Sequence, residues 1–283
     1  MSHPVIVGVD DPQSSSAAID WAADEARLRR LRLHLVHGRP WHGQSGSVTL
    51  ADQLVRSANE EALQALADKA ASQHPGLEVT SGVVEVPARE ALVDLGTGAA
   101  LLVLGSRGTG GFPGLLVGST SLHVAARAAC PVVVVPVAPG RDGGVAVGVH
   151  GREPCDELLA FAFEEAQRRA LPLRVVHAWS SPLTVAPGHA LASVHEEGRA
   201  AAEQARLLAE VLAGWRQNYP EVAVTEDIVR SGAARRLVEV SSAQRLLVVG
   251  RHGHPHGPVG RLGSVGQAVV HHAHCPVAVL PAA

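Results

Sequence analysis

The feature that most constrains this chain is that it repeats itself. Ile6-Val7-Gly8-Val9 returns as Ala146-Val147-Gly148-Val149, an offset of 140, and the same offset carries Trp21 onto Phe161, Glu25 onto Glu165, Leu31 onto Leu171, Val36 onto Val176 and His37 onto His177 without a gap. Further on, Leu104-Gly105-Ser106-Arg107-Gly108 matches Val249-Gly250-Arg251-His252-Gly253, Gly118-Ser119 matches Gly263-Ser264, and Cys130-Pro131 matches Cys275-Pro276, now at an offset of 145. The five extra residues between the blocks fit most simply in a surface loop. A duplicated unit folds twice. We therefore expect one domain over 1–138, a linker over 139–144 whose Pro, Gly and charged residues break strand and helix patterns alike, and a second domain over 145–283. At 283 residues each half is long enough to bury its own core.

Within each half, short β-branched runs alternate with longer helical stretches. Residues Val5 to Val9, Leu33 to His37, Val79 to Val84, Leu101 to Leu104 and Val132 to Val137 are apolar and strand-like. Between the first two, Ala18, Ile19, Ala22, Ala23 and Ala26 share one face at helical spacing, and Leu158, Leu159, Ala162, Phe163 and Ala166 repeat that face in the second half. Such alternation predicts an α/β fold with two tandem, doubly wound, parallel five-stranded sheets. The last strand of each half, Val132 to Val137 and Val277 to Leu280, would be an apolar edge that needs covering, and pairing the two would cover both within one chain.

Composition narrows the function. The chain is 46% hydrophobic and 18% charged with a formal net charge of -3, which fits a globular protein and disfavours a non-specific nucleic-acid binder. The first residues run straight into a strand, with no leader pattern, and no apolar run reaches membrane-spanning length, so a cytoplasmic protein without a membrane role is expected. Three cysteines, Cys130, Cys155 and Cys275, are too few and odd in number for a disulfide framework.

Two glycine loops carry the chemistry. Gly105-Ser106-Arg107-Gly108, nine residues, then Gly118-Ser119-Thr120 stand between a strand and a helix. Gly250-Arg251-His252-Gly253, nine residues, then Gly263-Ser264-Val265 repeat the arrangement. Ligands of open α/β sheets bind beyond the carboxyl ends of strands, where a helix amino terminus offers free N–H groups to an anion. Glycine lets the backbone approach phosphate oxygens, Ser119 or Ser264 adds a hydroxyl, and Arg107 offsets charge in the first loop where His252 takes its place in the second. Neither loop is a P-loop, since Gly-Lys-Ser/Thr is missing and the only lysine is Lys69. The turn after the first strand, Gly8-Val9-Asp10-Asp11-Pro12, lacks the spaced glycines of a dinucleotide fingerprint.

These motifs, with Val7-Gly8-Val9-Asp10 before a serine-rich turn, His37 ending strand two and the closing Cys-Pro-Val, resemble the universal stress protein family, in particular its ATP-binding branch, over essentially the whole chain. The resemblance implies the adenine nucleotide hydrolase-like, Rossmann-type fold and a bound adenine nucleotide, ATP with Mg²⁺. By position it places Asp10 near the ribose, Gly38 near the base, and Gly105, Arg107, Gly108, Gly118, Ser119 and Thr120 around the phosphates. The corresponding second-half set is Gly250, His252, Gly253, Gly263, Ser264 and Val265. There the pattern breaks, because the 140 offset puts His150 where Asp10 stands and Gly151-Arg152-Glu153-Pro154 where the serine turn stands. The resemblance also implies a pseudo-twofold association of the halves and leaves a homodimer of whole chains open.

The remaining constellations read as structure. His252, His254, His256, His271, His272 and His274 lack a carboxylate or cysteine set at a recognised metal spacing, so no metal site is expected. Cys130 and Cys275 suit small buried hydrophobes. No Gly-x-Ser-x-Gly elbow and no carboxylate pair marks a catalytic centre. The expected function is a nucleotide-responsive regulator of the stress response acting on a protein partner the sequence does not name. The alternatives are a slow ATPase or phosphotransferase on the same loop, or an interaction module without nucleotide.

Overall fold

The computed structural model describes residues 3–11, 15–39, 50–108, 117–140, 142–150, 155–180, 194–251 and 260–281. Its ten strands form a single continuous sheet in the order β3-β2-β1-β4-β5-β10-β9-β6-β7-β8. The first half supplies β1 (Val5–Gly8), β2 (Leu33–Gly38), β3 (Val79–Val84), β4 (Leu101–Gly105) and β5 (Val132–Val135), all mutually parallel. The second supplies β6 (Gly144–Gly148), β7 (Leu173–Trp179), β8 (Val224–Arg230), β9 (Gln244–Gly250) and β10 (Val277–Leu280), parallel in the same order. The two expected five-stranded sheets thus fuse through one antiparallel contact, with Ala278 opposite Val133. Two apolar edges that would each invite a foreign strand cover one another. Strand β6 begins at Gly144, inside the stretch expected as linker; Gly143 has φ +90°, and a Cβ there would meet the Ala243 carbonyl oxygen at 2.1 Å.

Helices cover both faces. On one lie α1 (Ser16–Arg29), α2 (Leu50–Gln73), α5 (Asp156–Arg169) and α6 (Val194–Asn218), packed on Val5, Val7, Leu33 and Leu35 and their repeats. On the other lie α3 (Ala88–Leu95), α4 (Ser119–Arg127), α7 (Ala233–Ser241) and α8 (Ser264–His272), packed on Ile6, Val36, Leu102 and Leu104 and theirs. The period-2 pleat explains this division, since strands buried on both faces read as the continuous apolar runs seen in the sequence. Each apolar layer runs through both halves, so the core is shared across the fusion. Among the described residues no helix is long and apolar enough to cross a membrane.

The duplication extends to backbone detail. Helix α1 ends with Arg30 in the left-handed conformation and Leu31 N–H reaching back to the Ala26 carbonyl at 2.9 Å. Helix α5 ends the same way, with Ala170 left-handed and Leu171 N–H on Ala166 at 2.9 Å. Both are six-to-one closures of the kind usually given to glycine. The last turns of α1 and α5 meet between the halves, where Glu25, Arg29, Glu165 and Arg169 form a charge quartet with both carboxylates fully buried.

Candidate functional site

In each half the strand order reverses direction about its first strand. Chain crossovers leave β1 for β2 on one side and return to β4 on the other, which opens a crevice at the carboxyl ends of β1 and β4. Asp10 stands exposed at the end of β1, and the loop beginning at Gly105 leaves the end of β4. The loop folds back so closely that a Cβ on Gly108 would lie 2.5 Å from Asp10 Oδ2. The N–H of Gly118 donates to the Ser106 carbonyl at 2.7 Å, which brings the far end of the loop back to its start and sets Gly118 as the N-cap of α4. A Cβ on Gly118 would lie 3.9 Å from the Gly108 nitrogen. Asp10, Gly108 and Gly118 therefore come together in the crevice, at the amino terminus of α4.

Several side chains hold this arrangement. The Asp10 N–H donates to Ser15 Oγ at 3.2 Å, Ser121 Oγ donates to the Gly105 carbonyl at 2.8 Å, and His37 Nδ1 lies 2.8 Å from the Val9 carbonyl, an arrangement that requires the proton on Nδ1. Ser15 belongs to the serine-rich turn that follows Asp10 in the sequence, whereas Ser121 and the supporting role of His37 are not evident from the sequence alone. His37 stood out only as a motif residue, and Ser121 follows the Gly118-Ser119-Thr120 run by a single position. Ser119 and Thr120 open α4, Ser119 exposed and Thr120 half-buried, while Arg107 is exposed beside Gly108. Gly38 closes β2 against the first residue of α3, where a Cβ would fall 2.3 Å from Ala88 Cα.

The second loop has the same backbone frame. Gly263 N–H donates to the Arg251 carbonyl at 2.9 Å and N-caps α8, which opens with Ser264 and Val265, and Gly250 ends β9. His252 and Gly253 lie outside the described residues, as do His254 and His256. His271 and His272 sit in the last turn of α8, and the His274 N–H donates to Ser241 Oγ at 3.0 Å. Among the described residues no three His, Cys, Asp or Glu side chains converge to hold a metal. A cleft of about 560 Å³ lined by Arg27, Arg30, Arg32, Gly76 and Glu78 lies at the amino ends of β2 and β3, opposite the end at which this fold binds ligands.

The sequence pattern of the universal stress protein family matches residues 1–136 and again 144–281. The chain belongs to the universal stress protein family. Relatives within it include the universal stress protein Rv2623 of Mycobacterium tuberculosis, 37% identical over 97% of this chain and 95% of its own length. Rv2005c of the same organism is 36% identical over 98% and 96%. Among solved structures, a universal stress protein from Archaeoglobus fulgidus superposes with TM-score 0.70 over 99% of this chain and 98% of its own, at 16% identity, which attests the universal stress protein fold alone.

Proposed function

We propose that the chain is a cytoplasmic, nucleotide-responsive universal stress protein that binds ATP with Mg²⁺ at the crevice of its first half. The observation that carries this reading is the meeting of Asp10 with Gly108 at the amino terminus of α4. A carboxylate at a strand end accepts hydrogen bonds from ribose hydroxyls, and a helix amino terminus reached through a Cβ-free loop accommodates phosphate. In this reading Gly105, Gly108, Gly118, Ser119 and Thr120 border the phosphates, Arg107 offsets their charge, and Gly38 lines the base. Occupancy biases the contacts of the chain with a protein partner.

Mass spectrometry of small molecules released on denaturation, paired with isothermal titration of ATP, ADP and AMP with Mg²⁺, tests the reading. Bound adenine nucleotide supports it; none released and none bound makes the loops structural and the chain an interaction module. Single-turnover release of ADP above buffer background, abolished by Gly105→Ala, would make the same site a slow ATPase.

A further inference from the structure

The second half keeps the frame of the first but changes it at four places. His150 stands at the end of β6 where Asp10 ends β1. A neutral imidazole offers one acceptor nitrogen and a protonated one offers none, so it cannot receive both hydroxyls of a vicinal diol as a carboxylate does. At the base end Ala178 replaces Gly38. Here β7 and β8 continue pairing one residue further, Trp179 opposite Arg230, with the Ser231 N–H donating to the Trp179 carbonyl at 3.2 Å. In the first half the pairing stops at Gly38 opposite Val84, and only the Arg39 N–H still reaches β3, donating to the Val84 carbonyl at 2.9 Å. Within the loop Gly266 stands where Ser121 donates to Gly105, so that tie has no counterpart.

The fourth change points outward. Arg251 occupies the position of Ser106, and its guanidinium crosses to the first half. Its Nε donates to the Ala125 carbonyl at 3.1 Å and Nη2 donates to that of Ala128, at the carboxyl end of α4. Helix carboxyl ends leave carbonyls unpaired and carry partial negative charge, and a guanidinium satisfies both needs. Arg127, from the last turn of α4, in turn packs against Gly260, whose Cβ would lie 3.1 Å from its Nε. The helix held from behind is the one whose amino terminus lies at the first-half crevice.

Resting on the nucleotide reading above, we infer that the chain binds one adenine nucleotide, in its first half, and that the second half has become a nucleotide-free brace in which Arg251 positions α4. Arg251 is a positioning residue and does not touch the ligand.

The test is isothermal titration of the full chain with Mg·ATP, together with photolabelling by 8-azido-ATP and peptide mapping. One equivalent bound, label confined to first-half peptides, and at least tenfold weaker binding by Asp10→Ala are expected. Arg251→Ala should weaken ATP binding about threefold to tenfold with unchanged stoichiometry, and Arg251→Lys should recover part of the loss. Two equivalents, or label in the second half, overturn the single-site inference while leaving the nucleotide reading intact. Unaltered affinity in Arg251→Ala overturns the brace. No binding at all overturns the nucleotide reading itself, and the inference with it.

Discussion

Arg29 and Glu165 stand 136 positions apart and belong to opposite halves, yet the Arg29 guanidinium donates to the Glu165 carboxylate across the junction of α1 and α5. Its mirror, Arg169 to Glu25, completes the quartet. Each guanidinium also lies over an aromatic ring of the other half, Arg29 at 5.3 Å from the Phe161 centroid and Arg169 at 5.5 Å from that of Trp21. Burial alone would raise the Glu25 pKa, but Arg169 and Arg29 outweigh it and hold the carboxyl below its usual range. Burial, then the charge of Glu25, push Glu165 the other way.

Breaking this set from one side should be costly. Arg29→Met leaves two buried carboxylates short of a partner, and we expect a loss of about 3–5 kcal/mol in urea unfolding. Replacing all four residues together, Glu25→Leu, Arg29→Met, Glu165→Leu and Arg169→Met, removes the charges with their desolvation cost and should restore most of that loss. An equal loss in both variants would mean that the ion pairs are not what Arg29 contributes.

Gly108→Ala should separate binding from folding. The new methyl would meet Asp10 Oδ2 at 2.5 Å, and the carboxylate must swing away. ATP affinity is expected to fall about tenfold or more, roughly 1.4 kcal/mol, while the thermal midpoint moves little because both residues are exposed. Titration calorimetry and a thermal melt on one preparation decide it.

Gly38→Ala should damage both. Here the obstacle is backbone, Ala88 Cα at 2.3 Å, and the start of α3 must shift. A destabilisation of about 1–3 kcal/mol is expected from such overpacking. Gly98→Ala, where a Cβ meets nothing within 4 Å, serves as the control and should stay within about 0.5 kcal/mol of the parent.

The thiols supply a pH prediction. Burial pushes Cys130 up from an ordinary 9.0 to about 11 and Cys275 to about 12, and Cys155, half-buried, also rises to about 11. The unfolded chain therefore gives up these protons at lower pH than the folded chain. Their contribution to stability is fully present below pH 9 and is lost as pH climbs toward 11 and 12. Alkylation by iodoacetamide at pH 8 should run roughly 100-fold slower in the native protein than in urea. The urea midpoint should be lower at pH 10 than at pH 8.

What could be read from the sequence was what the duplication and the periodicities encode locally. Alternating β-branched and helical runs give the strands and helices, the paired glycine loops give the crevice, and two apolar last strands give the β5·β10 contact. The quartet was half visible, since Glu25 and Glu165 align at the 140 offset, but alignment relates equivalent positions and says nothing about whether they touch. Arg251 was hidden for the same reason: its partners Ala125 and Ala128 carry no distinguishing side chain, and a bond to a backbone carbonyl leaves no mark on the residue that accepts it. Gly38 entered through resemblance, and its steric reason, Ala88, emerged only when β2 and α3 were brought together.

The antiparallel seam between β5 and β10 joins two halves that a single chain connects. Had the same seam joined two identical chains, every substitution would have appeared on both sides of it, and a histidine at the end of one first strand would have cost the other its aspartate. Joined in one gene, the halves mutate independently. His150 at the end of β6, with Asp10 at the end of β1, is a divergence that a symmetric pair of identical chains could not carry.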